Sequence, residues 1–192
     1  MKDKAKLSQL VLCGIFSALI IVMTAIPYTG YITYGPIEIT TLHIIVIIAS
    51  CLLGWKYGAV LGGVWGISCI IRATTNPLWI MFINPLISLL PRIAVGIVAG
   101  LIFKAASKTR LGNAGGAVLA AIGGTLTNTV LVLSSMYVFG GMIKEYAQVF
   151  EMFKTIYLTV ISLNGGVELA AAIIITPLVC KPVLSYMKKL GA

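Results

Sequence analysis

Long apolar runs constrain this chain more than any other feature of its sequence. The chain is 59% hydrophobic and 10% charged, with a mean hydropathy of +1.05, whereas a soluble domain carries about 25% charged residues. The apolar runs cover Leu7 to Ile26, Thr41 to Leu53, Tyr57 to Ile71, Ile83 to Phe103, Ala114 to Phe139 and Tyr157 to Val179. Because a membrane-spanning helix needs about 20 apolar residues, these runs predict one all-α integral membrane domain over residues 1–192 with six transmembrane helices. The second and third runs are short, so we expect a tilted, bent or partly buried helix there.

Basic residues are distributed unevenly around these runs. If the N-terminus is cytoplasmic, ten of them fall inside the cell: Lys2, Lys4, Lys6, Lys56, Lys104, Lys108, Arg110, Lys181, Lys188 and Lys189. Three fall outside: Arg72, Lys144 and Lys154. The positive-inside rule therefore predicts that both termini are cytoplasmic. The basic residues flank apolar runs and form no patch interleaved with aromatic residues, so the net charge of +9 predicts no nucleic-acid partner.

Two segments on the predicted outer side have patterns of their own. In the stretch from Tyr28 to Thr40, Ile37 and Ile39 alternate around Glu38, which is consistent with an extended lid over a pocket or with a plain interfacial loop. Between Met142 and Tyr157, polar and apolar residues separate onto opposite helical faces. The polar face holds Lys144, Gln148, Glu151 and Thr155, and the apolar face holds Tyr146, Val149, Phe150 and Phe153. We expect a short amphipathic helix on the outer membrane surface, between the fifth and sixth membrane helices.

Polar side chains within the apolar runs are the candidate binding residues. They are Asn84, Ser88 and Arg92 in the fourth run, Thr125 and Asn128 in the fifth, and Asn164 and Glu168 in the sixth. A charged residue inside a membrane is costly and by default faces the protein interior or a water-filled cavity. Arg92, Asn128 and Glu168 lie at a similar depth, roughly 13 to 17 Å from the outer ends of their helices at about 1.5 Å per residue. We therefore expect residues of three helices to meet in one polar pocket.

The chemistry of these residues suits an anionic ligand with hydroxyl or amide groups. Arg92 could hold a carboxylate or phosphate with parallel hydrogen bonds, or it could simply pair with Glu168. The asparagines could hydrogen-bond a ligand, or they could link helices to one another. His43, at the outer start of the second run, could contact the pocket or the lipid interface. A single histidine without a cysteine cluster predicts no metal site, and the chain has no phosphate-binding loop and no catalytic constellation.

Small residues at four-residue spacing mark several helix faces. Gly54, Gly58, Gly62 and Gly66 form one stripe, Gly96 and Gly100 a second, and Gly14 and Ala18 a third. Such faces let helix backbones approach closely. They predict helix packing within the chain, or docking of another membrane protein on one of them.

Together these motifs resemble a known family. The chain is similar to the substrate-capture (S) component of energy-coupling factor vitamin transporters, and most similar to the pantothenate branch. The matching stretches are Leu42–Gly54 with Lys56-Tyr57-Gly58-Ala59, Asn84-Pro85-Leu86 with Leu90-Pro91-Arg92, Gly124-Thr125-Leu126-Thr127-Asn128-Thr129, and Asn164 with Glu168.

The resemblance implies a vitamin-binding subunit of the bacterial cell membrane that is not an enzyme. Such a subunit binds its vitamin in an outward-facing pocket and associates with a membrane scaffold and two ATPases. The partners use ATP, and this chain binds no cofactor. The family docks its scaffold through a pair of small residues on the first helix, usually alanines, which here would be Gly14 and Ala18. Arg92 could hold the carboxylate of pantothenate, while Asn84, Asn128 and Asn164 hold its other polar groups.

Other functions fit the sequence as well. Pyridoxine, a hydroxymethylpyrimidine or folate could be the vitamin instead. The chain could also be a self-sufficient secondary transporter, or a scaffold subunit whose polar residues only lock its helices together.

Overall fold

The computed structural model describes residues 2–34, 37–140, 144–159 and 165–189. These residues are almost entirely helical. The helices are α1 (Lys2–Ala25), α2 (Leu42–Leu53), α3 (Trp55–Ala73), α4 (Pro85–Ala106), α5 (Gly112–Gly140), α6 (Ala147–Thr159) and α7 (Gly165–Lys189). Strands β1 (Tyr31–Tyr34) and β2 (Ile37–Thr40) pair antiparallel between α1 and α2. Short 3-10 helices, Pro77–Ile83 and Lys144–Tyr146, precede α4 and α6.

Among the described residues, four helices are long and apolar enough to cross a membrane. They are Lys6–Ala25 of α1, all of α4, all of α5, and Gly165–Met187 of α7, with mean hydropathies of 1.7 to 2.2. The predicted all-α membrane class is therefore correct, with one hairpin added. The count of six spans and the cytoplasmic position of both termini stay predictions.

Helix α2 is the central helix of the packed bundle. Ten of its 12 residues are buried, although at about 1.5 Å per residue it is only about 18 Å long. The sequence prediction of a short, protein-buried helix is confirmed here. Gly54 alone separates α2 from α3, and its φ of +92° lies in a region that favours glycine. The chain can therefore turn sharply into α3.

Helices α3 and α4 pack through their glycine stripes. A Cβ on Gly62 would overlap the carbonyl of Arg92, and a Cβ on Gly96 would overlap the carbonyl of Gly58. These two stripes therefore serve packing within the chain, because only glycine permits such close backbones. Gly14 differs, since a Cβ there would meet nothing within 4 Å and the residue is exposed.

Helix α6 is amphipathic, as predicted, but its apolar face packs against protein. Phe153 is 5% exposed and belongs to a cluster with Met81, Leu133 and Met136. Glu151 and Lys154, on the opposite face, are exposed and form an ion pair at 2.7 Å. This face covers α5 and the 3-10 helix before α4, and the position of the helix at the outer membrane surface stays a prediction.

Candidate binding cavity

A cavity of about 140 Å³ lies between the hairpin and helices α3, α4, α5 and α7. Its polar wall consists of Glu38, Thr40, Arg72, Arg92, Asn128 and Glu168, and its aromatic wall of Tyr31, Trp79, Phe82 and Phe153. Apolar residues of α5 complete it: Val132, Leu133 and Met136. The cavity thus brings Arg92, Asn128 and Glu168 together from three helices, as their common depth in the sequence predicts.

Arg92 is held in place by a backbone carbonyl that its own helix leaves without a hydrogen bond. Pro91 lies inside α4 and lacks the N–H that would bond the carbonyl of Ile87, four residues earlier. The Nη1 of Arg92 donates to that carbonyl at 2.7 Å. Its guanidinium carbon also lies 5.1 Å from the ring centre of Trp65 and 5.5 Å from that of Phe82, within cation–π range. The sequence Pro91-Arg92 therefore fixes a buried cation against the cavity.

Arg92 and Glu168 do not form an ion pair. Among the described residues, the ion pairs within 4.0 Å are Arg72 with Glu38 and Lys154 with Glu151. The Oε1 of Glu168 instead accepts a hydrogen bond from the backbone N–H of Thr40 at 2.7 Å. That bond ties the end of the hairpin to α7. Of the two roles that the sequence leaves open for Arg92, direct pairing with Glu168 is not what the structure shows.

A second cation in the cavity wall is neutralised by the hairpin. Arg72 donates from both Nη atoms to the carboxylate of Glu38, at 3.0 and 2.6 Å. Its guanidinium carbon lies 4.2 Å from the ring centre of Tyr31. The sequence prediction treated Arg72 only as an outer flanking charge and missed this role. The alternation around Glu38 did predict the extended segment, which lines the cavity as a lid would.

Tyr31 extends this network into the bundle. Its hydroxyl oxygen accepts from the indole Nε1 of Trp65 at 3.0 Å, and Cys69 is a second hydrogen-bonding neighbour of the hydroxyl. Burial raises the pKa of Tyr31 well above its ordinary value, which keeps the hydroxyl neutral. The cavity therefore has a neutral donor close to its two arginines.

Asn128 supplies an unused acceptor. The residue is 5% exposed, and its Oδ1 finds no hydrogen-bond partner among the described residues. Thr125, three positions earlier on α5, is also buried with an unpartnered hydroxyl, but it does not line the cavity. Buried polar atoms are normally satisfied, so Asn128 is a natural contact for a ligand.

Besides Thr125, three predicted residues do not line the cavity, and a fourth lies outside the described residues. Asn84 caps α4, because its Oδ1 accepts from the N–H of Leu86 at 3.0 Å, one of the helix-start donors that lack partners. Ser88 is buried behind the wall and donates to the carbonyl of Phe82. His43 is fully buried in α2, and its ring nitrogens find no partner among the described residues. Asn164 lies outside the described residues.

The geometry defines a class of protein. A charged cavity sits among helices apolar enough to cross a membrane, which is the arrangement of a multi-pass membrane protein that binds a small polar molecule. A family model described as "ECF transporter, substrate-specific component" matches residues 8–180. The chain belongs to this family, so the predicted resemblance is confirmed. It is a transport protein of the bacterial plasma membrane, and its family is not a family of enzymes.

Two relatives carry names that specify a substrate. The chain is 33% identical over 192 residues to the pantothenic acid transporter PanT of Lactococcus lactis subsp. cremoris, covering 90% of this chain and 92% of that protein. It is 37% identical over 105 residues to the pantothenate transporter PanT of Leuconostoc mesenteroides subsp. mesenteroides, covering 51% and 52%.

Proposed function

We propose that this chain is the vitamin-binding subunit of an energy-coupling factor importer, and that its vitamin is pantothenate. The names of both relatives support this substrate. The observation that carries the proposal is the state of Arg92: 4% exposed, with no carboxylate within 4.0 Å among the described residues. A buried charge without a counter-charge is costly. A ligand carboxylate supplies the missing charge.

The remaining groups of pantothenate find complementary atoms in the cavity. The Oδ1 of Asn128 can accept from the ligand's amide or hydroxyl groups. Glu168 has one oxygen committed to the N–H of Thr40, and its carboxylate has further acceptor capacity for a hydroxyl. The apolar side chains of Val132, Leu133 and Met136 can pack against the ligand's paired methyl groups.

Topology and partners complete the proposal. The chain crosses the membrane six times, with both termini in the cytoplasm and the hairpin on the outside. It delivers pantothenate through a scaffold subunit and two ATPases, which use the ATP, while this chain binds no cofactor. Support for a docking face comes from α1, where Gly14 and Ala18 are exposed on the same side and nothing lies within 4 Å of a Cβ on Gly14.

The first test is to identify the small molecule that the protein holds. Mass spectrometry of metabolites released from detergent-purified protein should yield pantothenate in stoichiometric amount. Calorimetry should then show that Arg92→Ala weakens binding by about 3 kcal/mol, or roughly 150-fold. Arg110→Ala, at an exposed turn between α4 and α5, is the matched control and should bind normally.

Each contrary result corrects a different part of the proposal. Another vitamin in the purified protein would keep the family and change the substrate. Uptake into liposomes by the purified chain alone, driven by an ion gradient, would show a self-sufficient secondary transporter. A protein that holds and binds no vitamin from a panel would refute a capture role.

A further inference from the structure

One of the four cysteines differs from the others in its surroundings. Cys13, Cys51 and Cys180 are buried in the apolar core between helices. Cys69, on α3, is also buried, at 5% exposure, but it lines the binding cavity. A reagent small enough to enter the cavity therefore meets one sulfur and not the other three.

A cation lies against the sulfur of Cys69. The Nη2 of Arg92 donates towards it at 3.9 Å, whereas the hydroxyl oxygen of Ser88, 3.8 Å from the sulfur, gives its proton to the carbonyl of Phe82. A guanidinium beside a sulfur draws an anionic reagent towards it. Cys69 thus differs from the other three cysteines in lining the cavity and in having a cation as its neighbour.

Independent observations show that a ligand belongs next to this sulfur. The Nε of Arg92 and the Oδ1 of Asn128 are buried, line the same cavity and find no partner among the described residues. An anion that binds the guanidinium of Arg92 lies beside Cys69, because the same guanidinium already contacts the sulfur. Ligand and thiol reagent would therefore compete for one space.

We propose that Cys69 is a modification site inside the binding cavity, at which small anionic disulfides and thiosulfonates react and thereby block ligand binding. The sulfur of Cys69 attacks the sulfur of the reagent that carries the transferred group. A new sulfur–sulfur bond forms to Cys69, the reagent's sulfur–sulfur bond breaks, and a thiolate or sulfinate leaves. The thiol proton passes to solvent, and a reducing agent reverses the reaction. The blocking of pantothenate rests on the proposed function, whereas the reactivity of Cys69 does not.

Charge should decide which reagents react. Arg72 is neutralised by Glu38, but Arg92 beside the sulfur has no such partner among the described residues. We therefore expect 2-sulfonatoethyl methanethiosulfonate, an anion, to modify Cys69 at least tenfold faster than the cationic 2-(trimethylammonium)ethyl reagent of similar size. A surface thiol in water, which reacts as an anion, would favour the cationic reagent instead.

The experiment uses detergent-purified full-length protein and both reagents. Intact mass should show one adduct, and peptide mapping should place it on Cys69. A variant with Cys13, Cys51 and Cys180 replaced by alanine should be labelled at the same rate, and Cys69→Ser should not be labelled. Pantothenate at about 100 times its Kd should slow labelling roughly 100-fold. Labelled wild-type protein should lose pantothenate binding and regain it after reduction.

The experiment distinguishes failure of the modification site from failure of the proposed function. Labelling at the other cysteines in wild type, or an equal rate with the cationic reagent, would overturn the proposal without reference to any vitamin. Rapid labelling of Cys69 that pantothenate does not slow would leave the modification site standing and refute pantothenate as the occupant of this cavity.

Discussion

Replacing Pro91 by alanine should weaken ligand binding although it restores a hydrogen bond to the helix. In the native chain the carbonyl of Ile87 is free to accept from the Nη1 of Arg92 at 2.7 Å, because Pro91 offers no N–H. The substitution supplies that N–H within the helix. The guanidinium then competes with that N–H for the carbonyl and gains rotational freedom.

The magnitude follows from the side-chain entropy of arginine. A free arginine side chain carries about 2 kcal/mol of rotamer entropy, which ligand binding would have to remove if the helix no longer does so. This bounds the loss of affinity at roughly 30-fold. The rings of Trp65 and Phe82 still restrict the guanidinium, so we expect a loss of about tenfold. Stability should not fall, because proline is about 3 kcal/mol less favourable than alanine inside a helix.

Calorimetry and thermal unfolding in detergent together test this reasoning. Pro177→Ala is the matched control, since Pro177 also lies inside a helix, α7, but does not line the cavity. It should leave affinity unchanged. In an Arg92→Ala background, Pro91→Ala should cause no further loss, because the side chain that it positions is absent. An equal loss in both backgrounds would show that Pro91 acts on the helix itself rather than through Arg92.

Three further perturbations have defined outcomes. Gly62→Ala should lower the stability of the purified protein by about 1–3 kcal/mol, because its Cβ would overlap the carbonyl of Arg92. Gly63→Ala is the control, since the nearest atom to its Cβ is 4.0 Å away, and it should not change the melting temperature. Glu38→Gln should speed ligand dissociation roughly tenfold. The Arg72–Glu38 pair is partly buried, with side chains 23% and 11% exposed, so its loss should cost less than the about 3 kcal/mol of a fully buried pair. An unchanged off-rate in stopped-flow measurements would exclude the hairpin as a lid. Gly14→Leu should leave pantothenate binding by the isolated chain intact but prevent co-purification with the scaffold, and normal co-purification would place docking elsewhere.

Helix geometry explains which site residues the sequence could predict. The rise of about 1.5 Å per residue is the same in every α-helix, so depth along separate runs can be compared without a structure. Arg92, Asn128 and Glu168 share a depth, and they share the cavity. Ser88 does not line the cavity because of the direction of its side chain and not because of its depth. Its hydroxyl points behind the wall, towards Phe82 and Cys69.

Asn84 shows how an error in a helix boundary becomes an error in function. The apolar run begins at Ile83, which placed Asn84 inside the predicted helix. The helix begins at Pro85 instead, and asparagine followed by proline is a common way to start one. The capping signal was present in the sequence, but the apolar pattern outweighed it.

The apolar pattern of the sequence could not predict that Arg72 and Glu38 pair in the cavity wall. They are 34 residues apart, on α3 and β2, and both fall outside the interior of the predicted spans. Charges at the ends of apolar runs are normally topological signals. Only the pairing of the hairpin strands brings Glu38 over the cavity and makes Arg72 part of its wall.

Under the proposed function, the groups that line the cavity suit pantothenate better than the other vitamins. Arg72 and Glu38 cancel each other, which leaves Arg92 without a counter-charge and Glu168 with acceptor capacity, on different helices. A ligand that satisfies both residues must have a carboxylate for Arg92 and hydroxyl donors for Glu168. Pyridoxine and hydroxymethylpyrimidines have hydroxyls but no carboxylate, and folate adds a second carboxylate and a large ring system. Pantothenate has one carboxylate and hydroxyls at the opposite end, so under the proposed function it offers a counter-charge to Arg92 and hydrogen-bond donors to Glu168.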